Sequence, residues 1–377
     1  MTWQTAAVNL ADNVTHRTSR WRPVVARTPR HLFVPQWWEA DAGRWTLREP
    51  VTDTEWFSAA YADRSLVTQV GSLHADLAKA DDHPTGLPTS SATLPSLVVR
   101  MFQHVRMDDG DELLDVGTGS GYGAALAAQR LGSEAVKSVD VDHHLVELAR
   151  DRLDLIDLRP TVQAVDATGP LPFTDNSFDR IVATVAVRSV PESWLQALCT
   201  GGRLVTTLAG TSLLITAEKR ADGSAEGRVE WDRAGFMHAR HTADYPPGLS
   251  GLLAAAHDLE GEDVTTSPYP AVDVANAWDL DSMLGITAPG IAHDYREQEG
   301  RRTALMAHSD GSWARAVTDG GGSTVVHQGG PRRLWDILDE LRAYWLQHGE
   351  LPVRGARVLI SPDGRTRLAR GSWRAVI

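Results

Sequence analysis

The chain has 377 residues, enough for two to three domains, and its apolar and aromatic content is that of a globular protein. Asp and Glu outnumber Lys and Arg by 49 to 37, and the net charge of -12 excludes a general nucleic-acid binder, which needs clustered basic residues. The single cysteine, Cys199, excludes an intrachain disulfide and favours a reducing cytoplasm, and no run of about 18 apolar residues predicts a membrane span.

Short motifs separated by turns fill the first part of the chain. Residues 3–16 predict a short helix, residues 30–35 read R-H-L-F-V-P, and Ala60-Tyr61-x-Asp63 follows. Residues 89–93 read T-S-S-A-T and precede a helix predicted over residues 94–105. Small hydroxyl residues at such a place are most often helix N-caps, so a structural role stands beside a functional one.

A glycine-rich loop is the most informative part of the sequence. Residues 112–123 read E-L-L-D-V-G-T-G-S-G-Y-G, in which a buried strand over residues 113–116 is broken by Gly117, Gly119 and Gly121. A helix predicted over residues 123–131 follows. This order of strand, glycine turn and helix lets the backbone approach a nucleotide-like ligand closely, with helix N–H groups facing it.

Strands and helices alternate from residue 111 to about residue 214, which predicts parallel strands joined by crossover helices. The predicted strands are 113–116, 136–139, 162–165, 180–185 and 203–208, and the predicted helices are 123–131, 144–154 and 191–198. The predicted fold class is therefore α/β, with a Rossmann-like sheet. Such a sheet binds its ligand at the carboxyl ends of the strands.

Acidic residues follow three of these strands. Asp115, Asp140 and Asp166 lie at strand ends, with Asp142 close behind the second. Carboxylates repel a pyrophosphate but suit a ligand with an ammonium group, a ribose diol and an adenine amine, which indicates S-adenosylmethionine. The candidate cofactor-binding residues are Asp115, Gly117, Thr118, Gly119, Ser120, Gly121, Tyr122, Asp140, Asp142, Asp166 and Ala167.

Beyond Ala217 the alternation of predicted strands and helices ends. Breakers at residues 245–248 (Y-P-P-G) and 266–270 place a boundary near residue 240. The tail predicts hairpins that turn at residues 309–311 and 362–364, with an amphipathic helix between them. We predict three segments: residues 1–84, a cofactor-binding domain over residues 85–240, and an extra α+β domain over residues 241–377. No metal site is expected, because His238 and His241 share a close spacing without cysteine or acid neighbours.

Several motifs in order resemble protein-L-isoaspartate O-methyltransferase. They are R-H-L-F-V-P, Ala60-Tyr61-x-Asp63, L-L-D-V-G-T-G-S-G-Y, F-D-R-I-V-A-T, V-P at residues 190–191 and L-C-T-G-G-R-L-V, and together they cover about residues 20–215. The resemblance implies that the Rossmann-like sheet is of the class I S-adenosylmethionine-dependent methyltransferase type, with S-adenosylmethionine against Gly117, Gly119, Asp140 and Asp166. It also implies that the family's substrate-side Thr-Ile-Ser matches Thr89, Ser90 and Ser91, with the Ser91 hydroxyl facing the substrate.

Three departures separate the chain from that family's usual pattern. Ser91-Ala92-Thr93 replaces the usual continuation of the motif, Asp140 replaces a glutamate, and a long C-terminal portion is added. The chain therefore resembles the branch found with ATP-grasp peptide maturases, which make ester- and amide-crosslinked graspetides. The resemblance implies methylation of an aspartate in a modified precursor peptide, closure of the ester to aspartimide, and an ATP-grasp ligase of the same pathway as a possible partner.

The alternatives are isoaspartyl repair, a lanthipeptide-associated aspartate methyltransferase and, outside this class, a nicotinamide-dependent dehydrogenase or an inactive peptide-binding scaffold. The dehydrogenase leaves the strand-end acids unexplained. We expect no nucleic-acid or membrane partner. Four C-terminal tryptophans, Trp278, Trp313, Trp335 and Trp345, are candidates for peptide recognition because aromatic side chains bury a large area at low entropic cost.

Overall fold

The computed structural model of the protein describes residues 2–41, 44–241, 249–320 and 323–377. Its N-terminal part combines helices with a small antiparallel sheet in which β5 pairs with β3. The elements of this part are α1 (Trp3–Val14), α2 (Arg22–Arg27), β1 (Trp37–Asp41), β2 (Arg44–Arg48), α3 (Asp53–Ala60), β3 (Leu66–Val70), β4 (Leu73–His74), β5 (Pro88–Ala92) and α4 (Pro95–His104).

The central part contains the predicted alternation of strands and helices. Its elements are β6 (Leu113–Val116), α5 (Tyr122–Leu131), β7 (Val136–Asp140), α6 (His143–Asp154), β8 (Thr161–Ala164), β9 (Phe178–Val187), α7 (Glu192–Ala197), β10 (Leu198–Leu208), β11 (Leu213–Lys219) and β12 (Ala225–Arg233). Strands β10, β9, β6, β7 and β8 lie side by side in that order, and all are parallel. From β6 the chain adds β7 and β8 on one side and then β9 and β10 on the other, so the strand order switches between β6 and β9. Ligands bind at such a switch point in open α/β sheets.

The C-terminal part forms a second antiparallel sheet with three helices. Its elements are α8 (Ser250–Ala256), β13 (Asp263–Ser267), α9 (Trp278–Thr287), β14 (Ala292–Gln298), β15 (Arg301–Ala307), β16 (Trp313–Asp319), β17 (Thr324–Gly329), α10 (Leu334–His348), β18 (Arg357–Ile360), β19 (Thr366–Arg370) and β20 (Trp373–Val376). Strands β13 to β17 form this sheet, whereas β18 to β20 add to the central sheet beyond β12. The central sheet has ten strands among the described residues.

One hydrophobic core joins the central sheet to the C-terminal part. Leu208 and Leu213 of the central sheet belong to the same buried cluster as Leu284 of α9 and Trp335 of α10. Burial of this kind contributes about 1.5–3 kcal/mol for each large apolar side chain. A truncation near residue 245 would therefore expose this core and remove three strands of the central sheet.

The structure confirms the α/β fold class and refines several bounds. All five predicted strands and the amphipathic helix are present, and α10 buries Leu334, Leu338 and Leu341 as expected. The T-S-S motif does not form a helix N-cap. Residues 88–92 form strand β5, and α4 starts at Pro95 without a side-chain cap. The Y-P-P-G breaker lies outside the described residues, and the three-segment division stays a prediction.

No helix in the described part of the chain is long and apolar enough to cross a membrane.

Candidate functional site

The glycine loop after β6 depends on backbone conformations that favour glycine. Gly117, Gly119 and Gly121 have φ angles of 96°, 50° and 89°. A Cβ atom on Gly117 would lie 2.9 Å from Cγ1 of Val185, and one on Gly121 would lie 3.1 Å from Cβ of Ala149. Side chains at these two positions would force the neighbouring strand and helix apart, so glycine is required there for packing.

Gly119 is different, because a Cβ atom there would make ordinary van der Waals contacts rather than clash with the core. A Cβ atom there would meet its nearest neighbours, the Ser91 carbonyl oxygen and the Ser90 hydroxyl, at 3.6 and 3.7 Å. The loop thus approaches the T-S-S strand directly. The two motifs that sequence analysis assigned to cofactor and substrate are brought together at this residue.

Asp115 lies beneath the loop rather than beside the ligand space. Its carboxylate is 2% exposed and accepts a hydrogen bond from the Ser138 hydroxyl at 2.7 Å, and that hydroxyl lies 2.6 Å from the Thr118 hydroxyl. Burial raises the pKa of Asp115 to about 7. The side chain therefore fixes the loop against β7, which is a supporting role rather than the ligand contact that the sequence suggested.

We expect Asp115→Asn to remove a stability penalty that grows with pH. Below about pH 4 the carboxyl is protonated in both the folded and the unfolded chain. Between about pH 4 and 7 only the unfolded carboxyl ionises, so wild-type folding loses roughly 1.4 kcal/mol per pH unit from this group. Urea unfolding should show the stability of the variant relative to wild type rising across this window, and a pH-independent difference would contradict the assignment.

Asp140 and Asp142 occupy the turn between β7 and α6. Asp140 accepts hydrogen bonds from the Gly119 amide at 2.9 Å and the Asp142 amide at 3.1 Å, and burial raises its pKa. Asp142 caps α6 through the His144 amide at 3.0 Å and meets Arg240 at 3.3 Å. Burial alone would raise the pKa of Asp142, but these contacts and one from Gln69 outweigh it and lower the pKa.

Asp166 follows β8, where the adenine acceptor is predicted. Its carboxylate accepts hydrogen bonds from the amide and the hydroxyl of Thr168 and lies 2.8 Å from Nδ1 of His241. Burial opposes ionisation, but these hydrogen bonds prevail and lower the pKa of Asp166. His241, which has no acid neighbour in the sequence, thus pairs with an acid through the fold.

A cavity of about 1780 Å³ connects these parts. Ligand pockets for single small molecules usually span about 300–1,000 Å³, so this cavity has room for a nucleoside cofactor together with a segment of peptide. Four regions of the chain line it: the strand ends with Gly117, Gly119, Asp140, Ala167 and Thr184; strand β5 with Thr89, Ser90 and Ser91; residues 235–241; and the C-terminal part with Asp281, Leu284, Ile291 and His293.

The remaining predicted cofactor residues lie behind this surface. Thr118, Ser120, Gly121 and Tyr122 are outside the cavity lining, and Tyr122 is 2% exposed in the core. The predicted acids Asp115, Asp142 and Asp166 are also outside the lining. Ser120 and Tyr122 form the turn into α5. These residues shape the loop, whereas Gly117, Gly119, Asp140 and Ala167 present atoms to the cavity.

The three hydroxyl groups on β5 differ in their hydrogen bonds. The Thr89 hydroxyl donates to the Gly71 carbonyl at 2.6 Å, and the Ser90 hydroxyl accepts from Thr68 at 3.0 Å. The Ser91 hydroxyl makes no hydrogen bond to any other residue in the described ranges, although Ser91 lines the cavity. Of the three, Ser91 is the hydroxyl that remains available to a substrate.

A buried arginine holds β5 in place. The Arg30 guanidinium is 0% exposed and donates to the backbone carbonyls of Ala60, Ala62, Arg64, Ala92 and Thr93. Burial lowers the pKa of Arg30 to about 10, so it stays charged at neutral pH. The R-H-L-F-V-P motif thus supports the end of the T-S-S strand.

The Ala-Tyr-x-Asp motif supports the same region. The Tyr61 hydroxyl lies 2.7 Å from Nδ1 of His31, and the Asp63 carboxylate accepts the Ser96 amide at the start of α4. These contacts join the Ala-Tyr-x-Asp motif to the R-H-L-F-V-P motif and to the start of α4.

Residues 235–241 form a cavity wall that sequence analysis missed. The Ala186 amide donates to the Met237 carbonyl, and the Ala239 amide donates to the Ala186 carbonyl, each at 2.8 Å. This pairing brings Arg240 to Asp142 and His241 to Asp166. The segment has no strand periodicity in the sequence, and its position depends on a bridge to a strand about fifty residues earlier.

The four C-terminal tryptophans are not part of the cavity lining. Trp335 is 1% exposed in the core, and Trp278 lies at the surface against Arg233. The role of these four side chains in peptide recognition stays a prediction, whereas other residues of the C-terminal part line the cavity. Among the described residues, no group of three or more His, Cys, Asp or Glu side chains is arranged to hold a metal.

Comparisons with known proteins indicate the family of the chain. Residues 48–234 match the sequence model of a family described as Protein-L-isoaspartate(D-aspartate) O-methyltransferase (PCMT). A Protein-L-isoaspartate O-methyltransferase of Thermococcus onnurineus is 31% identical over 150 residues, which are 38% of this chain and 68% of that protein. One of Aeropyrum pernix is 30% identical over 208 residues, which are 54% of this chain and 66% of that protein.

A solved structure extends the likeness beyond the matched sequence. A structure titled protein-L-isoaspartate O-methyltransferase aligns with a TM-score of 0.51 and 17% identity, and the alignment covers 100% of this chain and 99% of that one. The likeness in fold therefore includes the C-terminal part, whereas the sequence likeness to the curated relatives spans about two thirds of their length.

Proposed function

This chain belongs to the protein-L-isoaspartate O-methyltransferase family of S-adenosylmethionine-dependent carboxyl O-methyltransferases, and we propose that it methylates a carboxylate of an aspartate-derived residue in a peptide. The observation that carries the proposal is one cavity lined by both the glycine loop and β5, in which the Ser91 carbonyl oxygen and the Ser90 hydroxyl come closest to Gly119. A cofactor on the loop and a peptide on β5 would then meet at Gly119.

The residues around the loop fit S-adenosylmethionine. Gly119 lines the cavity without a side chain that would occupy it, and Asp140 offers carboxylate oxygens at the end of β7. Ala167 and Thr168 offer backbone at the end of β8, where the adenine would lie. The bound cofactor would supply the methyl group as an electrophile.

The nucleophile is the carboxylate of the substrate, which is already ionised at neutral pH and needs no protein base. The carboxylate oxygen forms a bond to the methyl carbon while the carbon–sulfur bond breaks, which yields a methyl ester and S-adenosylhomocysteine. The protein contributes orientation, which is worth on the order of 7–11 kcal/mol in favourable cases. The Ser91 hydroxyl would hold the oxygen that does not attack.

The first candidate substrate is an L-isoaspartyl residue. The curated relatives carry this activity in their names, and they match the part of the chain that contains the loop and β5. The long C-terminal part does not argue against it, because a structure bearing the same title aligns over the whole chain. The length of the C-terminal part therefore does not distinguish an isoaspartyl substrate from a graspetide-type one.

A second candidate is an aspartate in a crosslinked, graspetide-type precursor peptide, with an ATP-grasp ligase of the same pathway as partner. The size of the cavity and its C-terminal wall favour this candidate, because a rigid ring is bulky and loses little entropy on binding. In either substrate the neighbouring backbone nitrogen can attack the ester carbonyl and displace methanol, which closes an aspartimide ring.

We expect Ser91→Ala to lower kcat/KM for methyl transfer by roughly 10- to 100-fold, the value of one hydrogen bond to a charged group. Cofactor affinity measured by calorimetry should not change, since the hydroxyl faces the substrate. Ser96→Ala, a serine on α4 outside the cavity lining, is the matched control. Unchanged kinetics in Ser91→Ala would remove β5 from the substrate site.

A further inference from the structure

The C-terminal wall of the cavity contains a carboxylate that the proposed methyl transfer does not use. Asp281 lies in the first turn of α9, and His293 lies near the start of β14. Both line the same cavity as Gly119 and Ser91. Oδ1 of Asp281 lies 3.8 Å from Nε2 of His293, which is too long for a hydrogen bond.

Close packing fixes this wall relative to the cofactor loop. Gly285, one helical turn after Asp281, lies against the Gly210 turn at the end of β10, where a Cβ atom would come within 2.1 Å of the Gly210 oxygen. The Ser282 hydroxyl lies 2.8 Å from the Ser212 hydroxyl beside it. Residues i and i+4 share a helix face, so Asp281 extends along the cavity from this contact. Its distance from the loop is therefore set by the fold.

Asp281 lacks the partners that a half-buried carboxylate usually has. Its side chain is 29% exposed, and its carboxylate accepts no hydrogen bond and meets no Lys or Arg within 4 Å among the residues that the structure describes. Burial raises the pKa of Asp281 to about 6, so it is mostly ionised at pH 7.5. Burial also lowers the pKa of His293 to about 4, so its ring is neutral and supplies no positive charge to Asp281.

We propose that Asp281 and His293 form a subsite that binds a Lys or Arg side chain of the peptide, next to the residue that is methylated. The inference rests on the proposed function, because it names a feature of the peptide that enters the same cavity. An ammonium or guanidinium group would supply the missing countercharge of Asp281. Leu284 and Ile291, which also line this wall, offer apolar surface to the aliphatic stem of such a side chain.

The charge of the cavity supports a cationic ligand over an anionic one. A carboxylate of the substrate placed beside Asp281 would add a second unpaired negative charge in a partly desolvated wall. Nε2 is the ring nitrogen of His293 that lies on the Asp281 side, and the neutral ring brings no positive charge to that carboxylate. The negative charge of Asp281 is therefore open to a cation of the ligand.

The experiment compares isoaspartyl peptides that differ only in one flanking residue, lysine against glutamine, at each flanking position in turn. For wild type we expect at least one lysine peptide to have a KM roughly 10-fold below that of its glutamine twin, with kcat unchanged. Asp281→Asn should abolish that preference, and Asp281→Glu should restore part of it. Glu340→Gln, an exposed site of equal charge change on α10, should keep the wild-type preference.

Calorimetry with the same peptides and S-adenosylhomocysteine separates this inference from the function on which it rests. Methylation of both peptide sets without any lysine preference would overturn the subsite and leave the function intact. Tighter binding of a lysine peptide without methylation would support the subsite and contradict the function with this substrate. Weaker S-adenosylmethionine binding by Asp281→Asn would overturn the proposal by assigning the carboxylate to the ammonium of the cofactor.

Discussion

Gly119→Val should abolish binding of S-adenosylmethionine. Gly119 has φ of 50°, in the left-handed region that costs a β-branched residue roughly 1–2 kcal/mol. A valine side chain would also extend from the loop into the space between the loop and Ser91. Since this is the space into which the cofactor must fit, we expect calorimetry to detect no binding where wild type binds measurably.

The control for this variant is another glycine with positive φ. Gly132 has φ of 94° and lies outside the cavity lining, and a Cβ atom there meets nothing within 4 Å. Gly132→Val should therefore lose stability through strain alone while binding the cofactor normally. Unchanged affinity in folded Gly119→Val would contradict the assignment of the cofactor to this loop.

Arg30→Met should destabilise the protein by more than about 3 kcal/mol. The substitution removes a buried cation that donates to five carbonyl oxygens, and several of those oxygens would remain buried without a donor. Two of these carbonyls belong to Ala92 and Thr93, so β5 should loosen first. Methyl transfer should fall more than cofactor affinity, because Arg30 bonds directly to the end of β5 but meets the glycine-loop motif only by lying over the Tyr122 ring, 5.5 Å from its centre.

Urea unfolding measures this effect, and Arg48→Met is the matched control. Arg48 is 45% exposed in its ion pair with Glu39, and such surface pairs contribute about 0–1 kcal/mol. A loss of less than about 1 kcal/mol in Arg30→Met would show that the carbonyls find other donors. The anchoring role of the R-H-L-F-V-P motif would then be wrong.

The parts of the fold that sequence analysis predicted well are those set by local patterns. The run from β6 to α5 combines an apolar strand, glycines with positive φ and an alanine-rich helix, and each of these signals lies within a few residues of the others. The turns at residues 309–311 and 362–364 were predicted for the same reason. Local signals predict where an element lies, but they do not predict its partner.

The parts that were missed depend on contacts between distant residues. The bridge between Ala186 and His238 creates the wall over residues 235–241, and β18 joins β12 across more than a hundred residues. Asp115 was assigned to the cofactor because it ends a strand, but its burial against Ser138 depends on how β6 and β7 pair. The tryptophans were chosen for residue type alone, whereas Asp281 and His293 meet only through the packing of α9 on the sheet.

The most direct test of the account is mass spectrometry of an isoaspartyl peptide and its aspartyl isomer after incubation with the protein and S-adenosylmethionine. We predict that the isoaspartyl peptide gains one methyl group and then loses methanol as the ring closes, while the linear aspartyl isomer is unchanged. If only a crosslinked precursor peptide is methylated, the second candidate replaces the first. If folded protein that binds S-adenosylmethionine methylates neither the isoaspartyl nor the crosslinked peptide, the proposed carboxyl methylation of peptides is contradicted.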